Sequence, residues 1–195
     1  MPYLILGLMI FLGVHSVRIF AEGWRQARLA AMGEMAWKGA YSLLSAAGLG
    51  LIAWGYGEAR LTPTLLWPTP TWASHLAALL TLVAFVLLTA AYVPGNAIKQ
   101  RLQHPMILGV KVWALAHLVA NGTLADLILF GSFLLWAILC FRSARRRPLA
   151  AAGKPASGGA TVLTAVLGVV AWLAFAMWGH AALIGIQPFS VMPVH

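Results

Sequence analysis

Residues 105–141 read PMILGVKVWALAHLVANGTLADLILFGSFLLWAILCF, a long apolar run interrupted at Asn121-Gly122. Asn-Gly readily forms a tight turn, so the run is either one very long helix or two helices separated there. Crossing about 30 Å of hydrocarbon at 1.5 Å per residue takes roughly 20 residues. Two passes fit the stretch if the first, residues 105–120 with Lys111 inside it, crosses tilted, starts in the interface or is only partly lipid-exposed.

The remainder of the chain places this stretch in a membrane. Of 195 residues, 62% are hydrophobic and 9% charged, against about 45–50% apolar and about 25% charged in a soluble domain. Further blocks of spanning length cover residues 3–21, 36–57, 75–93 and 161–185. The formal charge of +9 would suggest nucleic acid in a soluble protein. Here the Lys and Arg residues fall between apolar blocks, where they set orientation and meet lipid headgroups, so membrane lipids are expected partners and nucleic acid is not.

Charge bias also decides the count. Residues 22–35 carry Arg25 and Arg28, with Lys38 just beyond; residues 58–74 carry only Arg60; residues 94–104 carry Lys99 and Arg101. An outer turn at Asn121-Gly122 then leaves the most basic segment, with Arg142, Arg145, Arg146, Arg147 and Lys154, on the same inner side as the other basic loops. A single helix over 105–141 would put it outside, against the positive-inside rule. The expected fold is all-α: a polytopic transmembrane helical bundle of about six spans, five if 105–141 crosses once, with both termini outside. The first block lacks a preceding basic stretch and reads as a retained span. Residues 142–160, RSARRRPLAAAGKPASGGA, read as a flexible cytoplasmic linker before the last helix of a single domain over 1–195.

Two histidines, His15 and His117, lie well within these blocks. An ionisable side chain in hydrocarbon is costly unless paired or ligated and marks a functional site by default, and neutral imidazole is the commonest metal ligand. At helical rise His15 lies roughly 9 Å inside the inner end of its span and His117 roughly 18 Å beyond the start of its own. Both approach the middle of the bundle, as the axial ligands of a haem between helices would. The other reading is that each imidazole donates a hydrogen bond to a carbonyl or hydroxyl on a neighbouring helix.

Neighbouring residues extend the candidate site. Arg18, three residues after His15, shares its face and suits a propionate or lipid phosphate, or snorkels to headgroups. Trp113 and Asn121 lie four residues either side of His117; Trp113 walls a planar cofactor or anchors the interface, and Asn121 caps the helix or orients a ligand. Lys111 falls near the cytoplasmic end of the same span. His104-Pro105 is a helix entry at which His104 caps or binds an anion. His75 reads as a capping or solvated residue and His180 as a reserve ligand. Cys140 is the only cysteine, so no intrachain disulfide and no thiolate cluster can form.

Four stretches carry a family resemblance: FLGVHSVRIF (11–20), AWKGAYSLLSAAGLGLIAWGY (36–56), AAYVPGNAIKQRLQHPMILGVKVWALAHLVANGTLADLILFG (90–131) and HAALIGIQPF (180–189). Together they resemble the NnrU family of bacterial inner-membrane proteins, over residues 1–141 and the last helix, most specifically in the HPM and AHLVANG blocks. The resemblance lapses in the linker. It implies a multi-pass protein of the bacterial inner (cytoplasmic) membrane associated with nitrite and nitric oxide metabolism in denitrification. The family is also similar to the plant plastid 15-cis-zeta-carotene isomerase, an integral membrane enzyme that uses haem b. Carried over, the isomerase's haem-ligating histidines match His15 and His117. Ala114 stands where that enzyme has a cysteine tied to redox-dependent ligand exchange, so the same switch is not implied.

Three kinds of function follow. One is a b-type haem protein acting in redox chemistry or in isomerising a polyene or isoprenoid substrate. Another is a non-enzymatic accessory or transport protein working with nitrogen-oxide respiratory proteins. The third is a methyltransferase-like membrane enzyme, for which QRLQHPMILG (100–109) is a short match; Glu22, Glu34, Glu58 and Asp126, the only acids in the chain, leave that chemistry poorly supplied.

Overall fold

Helices form at all six apolar blocks of the sequence. The computed structural model describes residues 1–148 and 154–188. Among these the chain forms α1 (Pro2–Phe20), α2 (Glu22–Met32), α3 (Glu34–Leu61), α4 (Thr71–Tyr92), α5 (Ala97–Leu102), α6 (Pro105–Ala120), α7 (Leu124–Arg145), and α8 (Gly158–Ala174), which runs through a π-helical turn (Phe175–Gly179) into α9 (His180–Ile184). There is one isolated antiparallel bridge, Leu65 to Thr123, and no strand among the described residues.

The 105–141 stretch is two helices. The break is held by side chain and loop together. Thr123 and Asp126 form a capping box, Asp126 N donating to Thr123 Oγ1 (3.3 Å) and Thr123 N to Asp126 Oδ2 (3.0 Å), so two otherwise unpaired amides at the start of α7 are satisfied reciprocally. Residues 64–67 fasten the same point: the Gly122 carbonyl accepts from Leu66 N at 2.8 Å and the Thr64 carbonyl from Leu124 N at 2.9 Å. Gly122 lies so close under the Trp67 carbonyl that a Cβ would collide with it.

Four helical segments are long and apolar enough to cross a membrane: Pro2–Phe20, Thr71–Tyr92, Leu124–Arg145 and Gly158–Ile184. The other two blocks differ from them for separate reasons. Helix α6 is apolar but has 16 residues, about 24 Å of helix. Helix α3 has 28 residues, but Gly, Ser, Tyr and Trp dilute its apolar stretch. Two helices occupy expected loops. Helix α2 is built from good helix formers, with Glu22 in its first turn accepting from Arg25 (3.0 Å) and Gln26 (3.3 Å); Gly33, at φ 80, ends it. Helix α5 is capped by Asn96, whose Oδ1 accepts from Lys99 N at 2.7 Å.

The chain gathers into two compact units, residues 1–68 with 121–147, and residues 69–120 with 148 onward. In the first unit α1 packs antiparallel on α3 at backbone contact. Gly7 lies against the Gly48 carbonyl and Ile52 N, Gly48 against Phe11, and Gly55 against Leu4; a Cβ at any of the three would meet backbone. Lipid tails provide no hydrophobic drive between helices, so such close approach is what holds them. Helix α7 runs parallel to α1, since Phe133 meets Phe11 and Trp136 meets His15, while Asp126 meets Tyr56 at the other end.

In the second unit α4 pairs with α6 and α8. Gly168 of α8 has no room for a Cβ against Val86, and Trp172 Nε1 donates to Thr81 Oγ1 at 3.1 Å. The turn after α4 is closed by buried Asn96, whose amide donates to the Ala90 (3.0 Å) and Val93 (2.6 Å) carbonyls. Of the expected linker 142–160, residues 142–145 continue α7 and 158–160 begin α8; residues 149–153 lie outside the described residues.

Candidate functional site

His15 lies in the first unit, walled by aromatic rings from three helices. Its Nδ1 hydrogen bonds the Phe11 carbonyl one turn earlier at 2.7 Å. A carbonyl only accepts, so Nδ1 carries the proton and the ring lone pair is on Nε2. The imidazole stacks on Phe11 with centroids 4.2 Å apart, lies 5.1 Å from the Tyr41 ring of α3, and meets Trp136 of α7 edge-on at 6.1 Å. Trp136 Nε1 is buried with no hydrogen-bond partner, and so is the hydroxyl of Ser45, one helical turn beyond Tyr41. A buried donor left unpaired costs about 1–3 kcal/mol, which makes both groups ready partners for an acceptor-bearing molecule.

His117 lies in the second unit and repeats the local arrangement. Its Nδ1 bonds the Trp113 carbonyl at 2.9 Å and its ring lies 5.2 Å from the Trp113 ring. Ala114 and Ala116, just before it, are fully buried, whereas His117 is part-exposed. Lys111 is half-buried on the same helix. The His104 carbonyl accepts from Leu108 N at 3.2 Å, which puts His104 at the boundary of α6, as the His-Pro pair predicts. Asn121 follows the last residue of α6 and belongs with the first unit, so the helical face it was expected to share with His117 ends before it. Arg18 sits with His15 in the first unit, its side chain 59% exposed and 3.9 Å from Glu22. His180 follows the π-helical turn, with Nδ1 2.7 Å from the Ile186 carbonyl and its ring edge-on to Phe175 at 5.9 Å.

Tyr41 and Ser45 escaped the sequence reading because they come from a helix far from His15 in the chain. Phe11, four residues before His15, is the one wall that helical spacing reveals. A second polar centre was also missed. Buried Asp126 accepts from the Tyr56 hydroxyl (2.5 Å) and the Thr123 hydroxyl (2.6 Å), while the Arg60 guanidinium lies 5.8 Å over the Tyr56 ring. A pocket of about 80 Å³ opens at the start of α7, lined by Glu58, Thr62, Thr64 and Leu124 among others. Its hydrogen bonds explain Asp126 as the fastener of α7 to α3.

Taken singly, each imidazole is a donor of the kind a porphyrin takes. Among the described residues no group of three His, Cys, Asp or Glu side chains could hold a bare ion, and a structural ion such as zinc takes four ligands. A porphyrin carries its own equatorial nitrogens and needs only axial donors from the protein. An imidazole whose other nitrogen is tied to a backbone carbonyl is the usual form of such a donor, its tautomer and ring orientation fixed. His15 and His117 both have it, and the buried indole N–H beside His15 adds a donor that a haem carboxylate can use.

A chain that is helical throughout its described residues, with four segments long and apolar enough to cross a membrane, is a helical membrane protein. The chain belongs to the NnrU family: the family described as NnrU protein matches residues 3–188. That match runs through residues 142–159 as well, where the resemblance was expected to lapse. No protein of curated function and no solved structure matches the chain.

Proposed function

We propose that this NnrU protein is a multi-pass protein of the bacterial inner membrane, with six spans and both termini outside, that holds haem b on His15 and His117. Its work is redox chemistry or isomerisation of a polyene or isoprenoid substrate in a cell that handles nitrite and nitric oxide. The observation that carries this reading is the pair of Nδ1 contacts, to the Phe11 carbonyl at 2.7 Å and the Trp113 carbonyl at 2.9 Å, which leaves both imidazoles in the tautomer that ligates through Nε2.

Haem held by His15 and His117 would supply one-electron chemistry. The chain's own residues set the conditions for that chemistry. The two carbonyls fix the imidazole tautomers. Phe11, Tyr41 and Trp136 wall His15 with aromatic rings, and Trp113 lies beside His117. A bound haem would find in Trp136 Nε1 a buried donor for a carboxylate, and in Arg18 and Lys111 cations to balance carboxylate charge.

The test is the visible spectrum of protein purified after expression with ample haem. A Soret band with the reduced-state bands of a bis-histidine centre is expected, and it should be lost or shifted in His15→Ala and in His117→Ala. No Soret band, or one unchanged in both variants, overturns the reading and leaves an accessory or transport role in nitrogen-oxide respiration.

A further inference from the structure

One end of the first unit gathers cations from four helices. Because α1 runs antiparallel to α3 and parallel to α7, the last turn of α1, all of α2, the start of α3 and the end of α7 share that end. Arg18, Arg25, Arg28 and Lys38 come from the first three of these, and four arginines between 142 and 147 from the last. Just below them His15 of α1 meets Tyr41 of α3 and Trp136 of α7, which holds these helix ends together. Only Glu22 and Glu34 oppose this charge, and both are engaged, Glu22 by Arg25 at 3.0 Å and Arg18 at 3.9 Å, Glu34 by Lys38 at 2.6 Å. No carboxylate lies in ion-pair reach of Arg28, Arg142, Arg145 or Arg146 among the described residues, and all four are exposed.

The helix at the centre of this end has the character of an interfacial one. Helix α2 buries none of its residues. It exposes Trp24 (54%) and Met32 (48%) along with Arg28, and Trp24 packs edge-to-face on Trp37 at 5.9 Å. Trp24, Arg28 and Met32, each four residues on from the last, line one exposed face, and a helix that exposes Trp beside Arg settles at the boundary between headgroups and acyl chains. Guanidinium is the side chain best shaped to grip a phosphate with two parallel hydrogen bonds.

We propose that this end of the first unit is a binding site for the phosphate headgroups of anionic phospholipids, with α2 lying in the interface and Arg28, Arg142, Arg145 and Arg146 as the phosphate-binding residues. The site rests on the protein being in a membrane and is independent of haem.

Native mass spectrometry of the detergent-purified protein titrated with phosphatidylglycerol or phosphatidylcholine tests it. Phosphatidylglycerol adducts should be retained preferentially. Each of the four arginines changed to Gln should weaken that preference by about fivefold, since a basic residue near an anionic surface contributes about that factor. Arg101→Gln, in the second unit, should leave it unchanged. Circular dichroism confirms that each variant keeps its helices, and quenching of Trp24 by brominated phosphatidylglycerol, taken as the difference from Trp24→Phe, should place α2 at headgroup depth.

Equal retention of both lipids, or equal loss in Arg101→Gln, overturns the site. So does competition by inorganic phosphate at the lipid's own concentration, which would mean a free-phosphate site. Displacement of the lipid by a short RNA through the same arginines would mean a nucleic-acid surface and would overturn it as well. Because haem-free protein serves equally in this assay, failure here leaves the Soret test untouched.

Discussion

Trp136 is the residue beside His15 with the least explained chemistry: its indole N–H is buried with no acceptor, edge-on to the imidazole. If haem is bound there, Trp136→Phe should keep the Soret band while moving the propionate bending bands in resonance Raman spectra; unmoved bands would mean the N–H meets no propionate. Asp126 poses a different question, because its partners are all in place. Asp126→Ala removes the capping box, worth about 0.5–2 kcal/mol, and strands the Tyr56 hydroxyl, at about 1–3 kcal/mol. A loss of roughly 2–4 kcal/mol in unfolding from detergent micelles is expected, with Asn at 126 costing less. Tyr56→Phe should rescue part of the Ala variant because the two groups share one hydrogen bond. Sequence alone marks His15 and His117, since a histidine in an apolar block stands out by composition. It does not mark Tyr41 or Tyr56, because aromatic residues in membrane helices are common and only the helix register shows which imidazole or carboxylate they face.

At the scale of the helices, α1 and α3 are joined by glycine. Gly48 and Gly55, seven residues apart, put one face of α3 against the backbone of α1, and Gly7 returns the contact. Gly48→Leu should separate the helices and cost at least the ~1–3 kcal/mol typical of overpacking, read as a lowered midpoint of thermal unfolding, while Gly50→Leu, which meets open space, should be nearly silent. The start of α3 carries a pH-sensitive contact. The ion pair and hydrogen bond with Lys38 hold the Glu34 carboxyl below its ordinary value of 4.5. Its folded value is depressed, so the stabilisation of this helix end is present above pH 4.5 and fades as pH falls through the lowered value. The effect is small because the pair is exposed. The Glu34 carboxyl resonance should titrate below that of free glutamate, and Lys38→Ala should return it; an unchanged midpoint in that variant would remove Lys38 as the cause. Apolar length makes α1, α4, α7 and α8 legible in the sequence. Helix α2 was not, because it is polar, buries nothing and is helical through its propensities, Glu22 contacts and Gly33 stop.

On the scale of the whole molecule, the chain leaves the first unit near residue 68 and returns to it at Asn121. The first crossing lies within a Pro-rich loop, and the second is only the three-residue break between α6 and α7. Charge, by contrast, is readable at this scale: basic residues that orient a membrane protein in the sequence become a clustered cationic surface in the first unit. Membership of the NnrU family and a helical membrane architecture follow from the whole chain, while the proposed haem chemistry depends on two imidazoles in different units. Its most direct measurement is the oxidised and reduced visible spectrum of the purified protein beside those of His15→Ala and His117→Ala. The account predicts a b-type bis-histidine spectrum in the native protein, lost or shifted in each variant. A colourless protein, or a haem spectrum indifferent to both substitutions, would contradict it.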